Sequence, residues 1–157
     1  MAPAMSQAVQ DRYAPANRCF GCGAANERGL RIKSHEEGEG LVARWQPEPH
    51  HEAYAGMLSG GIIGAILDCH CNWAAAIHLM KKTGRAGPPA TVTSRLEVRF
   101  KRPTPAREGV VLRARVVEGA DDRATVEGSL EAGGHVTATC RAVFVAVKEG
   151  HPAWERW

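Results

Sequence analysis

Residues 57–80 read MLSGGIIGAILDCHCNWAAAIHLM, and Asp68 is the only formally charged side chain among them. Ile62, Ile63, Ile66, Leu67, Trp73, Ile77 and Leu79 cover most of a helical circumference, which predicts a helix enclosed on most sides. Ser59 and the Gly60-Gly61 pair open it, and it closes near Gly84 with Lys81 and Lys82 in its last turn, where cations suit the helix dipole. A carboxylate inside such a helix must find donors or shift its pKa. Asp68 is therefore either a satisfied structural acid or a catalytic group. The segment approaches membrane-spanning length, but Asp68, His70, Asn72 and His78 interrupt it and no second span follows.

Outward from the helix, the chain turns to β patterns. On the N-terminal side, alternating runs at 30–34 and 41–46 flank a Glu-Glu-Gly-Glu-Gly turn at 36–40 and predict a hairpin, followed by a loop over 47–56. On the C-terminal side four segments alternate with period two. In the first, 91–101, Val92, Leu96, Val98 and Phe100 share one face and Thr93, Arg95, Glu97, Arg99 and Lys101 the other. Apolar rows at Val110, Leu112, Ala114, Val116, then Ala124, Val126, Leu130, then Val136, Ala138, Cys140, Ala142, Phe144 define the rest, with turns at 119–122 and 132–134. Connections this short imply antiparallel pairing. The fold class is α+β: one curved antiparallel sheet of about six strands wrapped around a long central helix.

A chain of 157 residues with 24% charged and 44% hydrophobic side chains suits one globular domain. The division expected is a flexible lead-in over 1–18, a folded domain over 19–148 and a tail over 149–157. The net charge of +3 is spread along the chain rather than gathered into a basic tract, which argues against a nucleic-acid partner. No secretory pattern opens the sequence, so a cytoplasmic protein is expected. Five cysteines, several in apolar segments, suit reduced thiols. Cys19 and Cys22 have zinc-knuckle spacing, but a structural zinc wants four ligands and Cys69, His70 or Cys71 could join only through folding or a partner chain. Packed thiols are the simpler account, so no metal and no cofactor is expected.

The Gly60 and Gly61 amides lie where a helix leaves donors unpaired, and such amides suit a developing oxyanion. Gly60 and Asp68 are eight residues apart, roughly 12 Å along a helix axis. They cannot grip one reacting carbon together. If both act, they come from two copies of the chain, and the site is dimeric.

The order of elements, with His51, Gly56, Ser59-Gly60-Gly61, Asp68 and Phe100-Lys101-Arg102-Pro103, resembles the hotdog-fold acyl-CoA thioesterases of the phenylacetate-pathway type, in the 4-hydroxybenzoyl-CoA thioesterase-like superfamily. The resemblance runs from about Cys19 to Val147. It implies a sheet wrapped around a helix, dimers sharing two active sites, and dimers often paired into tetramers. It implies that Asp68 activates water or attacks the thioester, that the Gly60 amide polarises the carbonyl, and that Thr93 helps hold the attacking water. Asn72, one turn after Asp68, could donate to its carboxylate.

His51, Ser59, Gly61, Tyr54 and Trp73 are candidates for substrate contact, with Trp73, Ile77 and Tyr54 near the acyl group. Arg99, Lys101 and Arg102 are candidates for the phosphates of coenzyme A. Two positions depart from the family pattern: Ser59 stands where a histidine is common, and Ala53 where Asn or Gln is common. Ser59 would then serve as a helix cap. These departures motivate a second reading, a module that binds acyl-CoA without turnover. A third is an acyl dehydratase pairing a loop histidine with Asp68, although His51 lies farther from Asp68 than that resemblance favours.

Overall fold

The computed structural model describes residues 6–157. A short helix α1 (Val9–Tyr13) leads to strands β1 (Ser34–Glu37) and β2 (Gly40–Trp45), a 3-10 turn (Pro49–His51), and the small strands β3 (Glu52–Tyr54) and β4 (Met57–Leu58). Helix α2 (Gly60–Lys82) follows, then β5 (Thr91–Phe100), β6 (Val110–Gly119), β7 (Arg123–Ala132) and β8 (His135–Ala146). Six strands form one antiparallel sheet in the order β1-β2-β6-β7-β8-β5, and β3 pairs with β4 apart from it.

Helix α2 lies in the concave side of this sheet, the hotdog arrangement. By length and composition it could cross a membrane, yet 67% of its apolar window is buried within the fold. Ile66, Leu67 and Trp73 are fully enclosed in one core with Leu112, Val126, Leu130, Ala138, Ala142 and Phe144 of the sheet. Mutual burial of a helix and one sheet face is what fixes the pairing of the two layers.

Three expectations need correction. The first strand begins at Ser34 rather than spanning 30–34, because Arg31 sits at φ 55 and breaks an extended run there. Val92 and Val136 leave the apolar rows assigned to them. Pairing shifts register between Thr93 and Arg95, and again where Leu130 and Glu131 of β7 meet Ala138 and Val136 of β8. Each bulge inserts a residue and reverses the parity of alternation beyond it.

The lead-in expected over 1–18 is not wholly loose. Val9 is buried in the core, and Gln10 is buried while hydrogen-bonded to Ser34 through both ends of its amide; residues 1–5 lie outside the described residues. At the other end the tail folds back on the body. The Trp157 indole stacks on Trp73 with ring centroids 4.3 Å apart and donates to the Pro89 carbonyl, while Arg156 donates to the Thr91 carbonyl.

Candidate active site

Asp68 lies midway along α2 and turns toward the edge strand β5. Its Oδ1 accepts a hydrogen bond of 2.7 Å from the Thr93 hydroxyl. The alternation of 91–101 places Thr93 on the polar face, and the bulge explains why it is not there. Thr93 stands opposite Phe144 and Leu96 opposite Ala142, with Ser94 as the unpaired extra residue. Residues directly opposite share a face, and Phe144 and Ala142 are both fully buried. Thr91 and Thr93 are thereby turned onto the helix side together with Leu96, Val98 and Phe100.

Partial burial raises the Asp68 pKa above its ordinary 3.8, the Thr93 bond pulls it down, nearby Cys19 raises it, and Arg156 lowers it. Desolvation is the largest of these causes. A carboxylate in this setting is a better base than one in water, because its charged form is less well solvated. Arg156 was not among the residues singled out from sequence. No local pattern marks it, since only the folded-back tail brings it to the helix.

Asn72 does not serve Asp68. Its Oδ1 accepts from the Thr91 hydroxyl at 2.5 Å and its Nδ2 donates to the Thr91 carbonyl at 3.4 Å. The same bulge that delivers Thr93 to Asp68 delivers Thr91 to Asn72, so each polar side chain on this helix face has its own threonine.

At the start of α2 the first amide to find a helical acceptor is that of Ile63, 3.0 Å from the Ser59 carbonyl. The N–H groups of Gly60 and Gly61 precede it and have no acceptor within the helix. Both glycines are exposed. A side chain at Gly60 would touch the Phe100 ring at 3.5 Å, so this glycine and the end of β5 are neighbours. The Ser59 side chain makes no capping bond, contrary to the expectation that it caps the helix.

His51 is buried with its Nδ1 accepting the Glu48 amide at 3.0 Å, and its ring lies beside Trp45 and His50. It shapes the turn before the helix. Trp73 and Tyr54 are not brought into one open acyl pocket: Trp73 is fully enclosed under Trp157, and Tyr54 is 60% exposed on the separate β3–β4 ribbon. Arg99, Lys101 and Arg102 are exposed at the end of β5. A concavity of about 1700 Å3 opens farther along, beside Ala74, Ile77, His78, Val98 and Arg99.

The sequence profile of the thioesterase superfamily matches residues 55–139. No curated protein sequence matches the chain. Among solved structures, a thioesterase superfamily protein from Shewanella loihica PV-4 is 27% identical, with a TM-score of 0.64 over 80% of this chain and 98% of that one. A phenylacetic acid degradation-related protein from Ralstonia eutropha JMP134 is 22% identical, with a TM-score of 0.61 over 74% of this chain and 86% of that one. A Bacillus halodurans protein crystallised with CoA is 21% identical, with a TM-score of 0.61 over 76% of each chain. The profile covers more than half of the sequence and takes in both the glycine pair and Asp68, and the chain belongs to the thioesterase superfamily.

Proposed function

We propose that the protein hydrolyses an acyl-CoA or a related acyl thioester to a free acid and a thiol, at a site shared between two copies of the chain. The observation that carries this reading is the partly buried Asp68 carboxylate, held by the Thr93 hydroxyl on a strand at the sheet's edge. Asp68 takes a proton from water as the oxygen attacks the thioester carbonyl carbon. The Gly60 amide of the opposing copy stabilises the resulting oxyanion. Collapse of the tetrahedral intermediate breaks the C–S bond, and the proton on Asp68 passes to the departing sulfur. Direct attack by Asp68 leads to the same products through a mixed anhydride that water then cleaves.

Gly60 and Asp68 belong to one 23-residue helix, so within one chain their axial separation of roughly 12 Å supports assigning the two roles to different copies. Arg99, Lys101 and Arg102 form no ion pair among the described residues and remain suited to coenzyme A phosphates. The CoA-bound Bacillus halodurans protein supports a fold able to accommodate that carrier. A cytoplasmic setting suits such a substrate.

A binding module without turnover is the second reading, favoured by Ala53, whose exposed methyl offers nothing to orient water, and by the unengaged Ser59 hydroxyl. The dehydratase reading loses support, because the His51 Nδ1 is engaged by the Glu48 amide. Thiol release from a panel of acyl-CoA esters separates hydrolysis from binding. Asp68→Asn should lower kcat by at least about 100-fold with an unchanged thermal melt. Thr93→Val should lower it by about 10-fold, the worth of one hydrogen bond to a charged group. Full activity in Asp68→Asn removes the acid from the mechanism, and tight acyl-CoA binding without release favours the module.

A further inference from the structure

Folding brings three thiols from two distant parts of the sequence to one point. Cys19 and Cys22 come from the loop after α1 and Cys69 from the middle of α2; their sulfurs all lie within 4.8 Å of one another. The Cys19 and Cys69 sulfurs are 3.8 Å apart, and all three are free thiols. Zinc binds thiolate at about 2.3 Å, which puts two sulfurs on adjacent corners of a tetrahedron about 3.8 Å apart.

Asn17 and Gly21 shape the surroundings of the three sulfurs. The Asn17 side chain takes the Cys19 amide on its oxygen at 3.1 Å and directs its Nδ2 at the Cys22 sulfur, 3.8 Å away. The buried Trp73 indole N–H has no hydrogen-bond partner among the described residues. Gly21 is required by the approach itself, since a side chain there would stand 2.4 Å from the Cys69 sulfur. The Asn17 amide is a donor of the kind that orients a metal-bound thiolate.

We propose that Cys19, Cys22 and Cys69 bind one Zn2+ ion, with water or a solvent-supplied thiol at the fourth corner. Soft thiolate ligands favour zinc over magnesium or calcium. Cys19 and Cys69 are only partly buried, which leaves room for the fourth ligand. The ion ties the loop around Cys19–Cys22 to the central helix at the residue after Asp68, and no step of the proposed hydrolysis passes through it.

The test uses the full chain, purified under reducing conditions, stripped of metal and reloaded with Zn2+ or Co2+. Reloaded protein should hold about one metal ion per chain after desalting, and Co2+ should give the sulfur-to-metal charge-transfer absorption of a tetrahedral thiolate site. Zn2+ should protect Cys19, Cys22 and Cys69 together from alkylation, read by peptide mass spectrometry, while the labelling of Cys71 and Cys140 is unchanged. That readout needs no mutant and is independent of folding defects. Cys69→Ala should weaken Co2+ binding by at least about 100-fold, whereas Cys71→Ala should not. The proposal is overturned if no metal survives desalting, if protection omits Cys69, if Cys69→Ala binds Co2+ as tightly as the parent, or if the metal-free protein carries a Cys19–Cys69 disulfide that Zn2+ cannot prevent.

Discussion

His70 has both ring nitrogens engaged in the interior. Nδ1 meets the Ser34 hydroxyl at 2.8 Å and Nε2 the Leu41 carbonyl at 3.1 Å, while Gln10 donates to the same hydroxyl at 2.9 Å. A carbonyl can only accept, so Nε2 carries the hydrogen and Nδ1 accepts from Ser34. Burial pushes the His70 pKa from its ordinary 6.5 down to about 4. As pH falls, the unfolded chain takes up this proton first, so the contribution of neutral His70 is complete above 6.5 and declines as pH falls from 6.5 toward 4. The expected loss is about 3 kcal/mol across that window. Denaturant unfolding at stepped pH, compared with His70→Gln, should show the slope in the parent and a weaker one in the variant; equal slopes would mean another group controls the acid limb.

Between helix α2 and strand β7, contact depends on a missing side chain. A methyl at Gly128 would stand 2.6 Å from the Cys71 sulfur and 2.8 Å from that of Cys140. Both sulfurs are themselves buried and 3.4 Å apart, so neither has space to retreat. Gly128→Ala should therefore destabilise the protein by about 1–3 kcal/mol through overpacking, visible as a lower denaturation midpoint. A neutral result would show that the helix can lift from the sheet at little expense. Strand β5 shows the opposite kind of control: its extra residue, Ser94, decides which side chains see the helix, and so gives Asp68 a threonine.

On the scale of the whole molecule, the sheet ends on one side at β5, a ten-residue strand whose helix-facing side chains beyond Thr91 are only partly covered. Leu96 and Val98 are partly buried and Phe100 is 57% exposed. Long edge strands with apolar side chains invite pairing, and pairing here would bring a second copy toward Gly60, which lies beside Phe100. Phe100→Glu should abolish the proposed dimer in analytical ultracentrifugation and lower kcat in parallel. Full activity in a monomer would place both catalytic roles within one chain. Much of this architecture was legible in the residues themselves: the apolar helix around Asp68, four alternating strands and their turns, since periodicity reports which face is buried. The reach of Asp68 to Thr93 was not, because a single inserted residue reverses alternation without leaving a local mark. Nor was the meeting of Cys69 with Cys19 and Cys22, fifty residues apart in the chain. Sequence alone determined the layers and the acid at their centre, because both follow from local pattern; which side chains meet that acid, and which thiols meet one another, only tertiary packing decided, because such contacts depend on register and chain return rather than on neighbours in sequence.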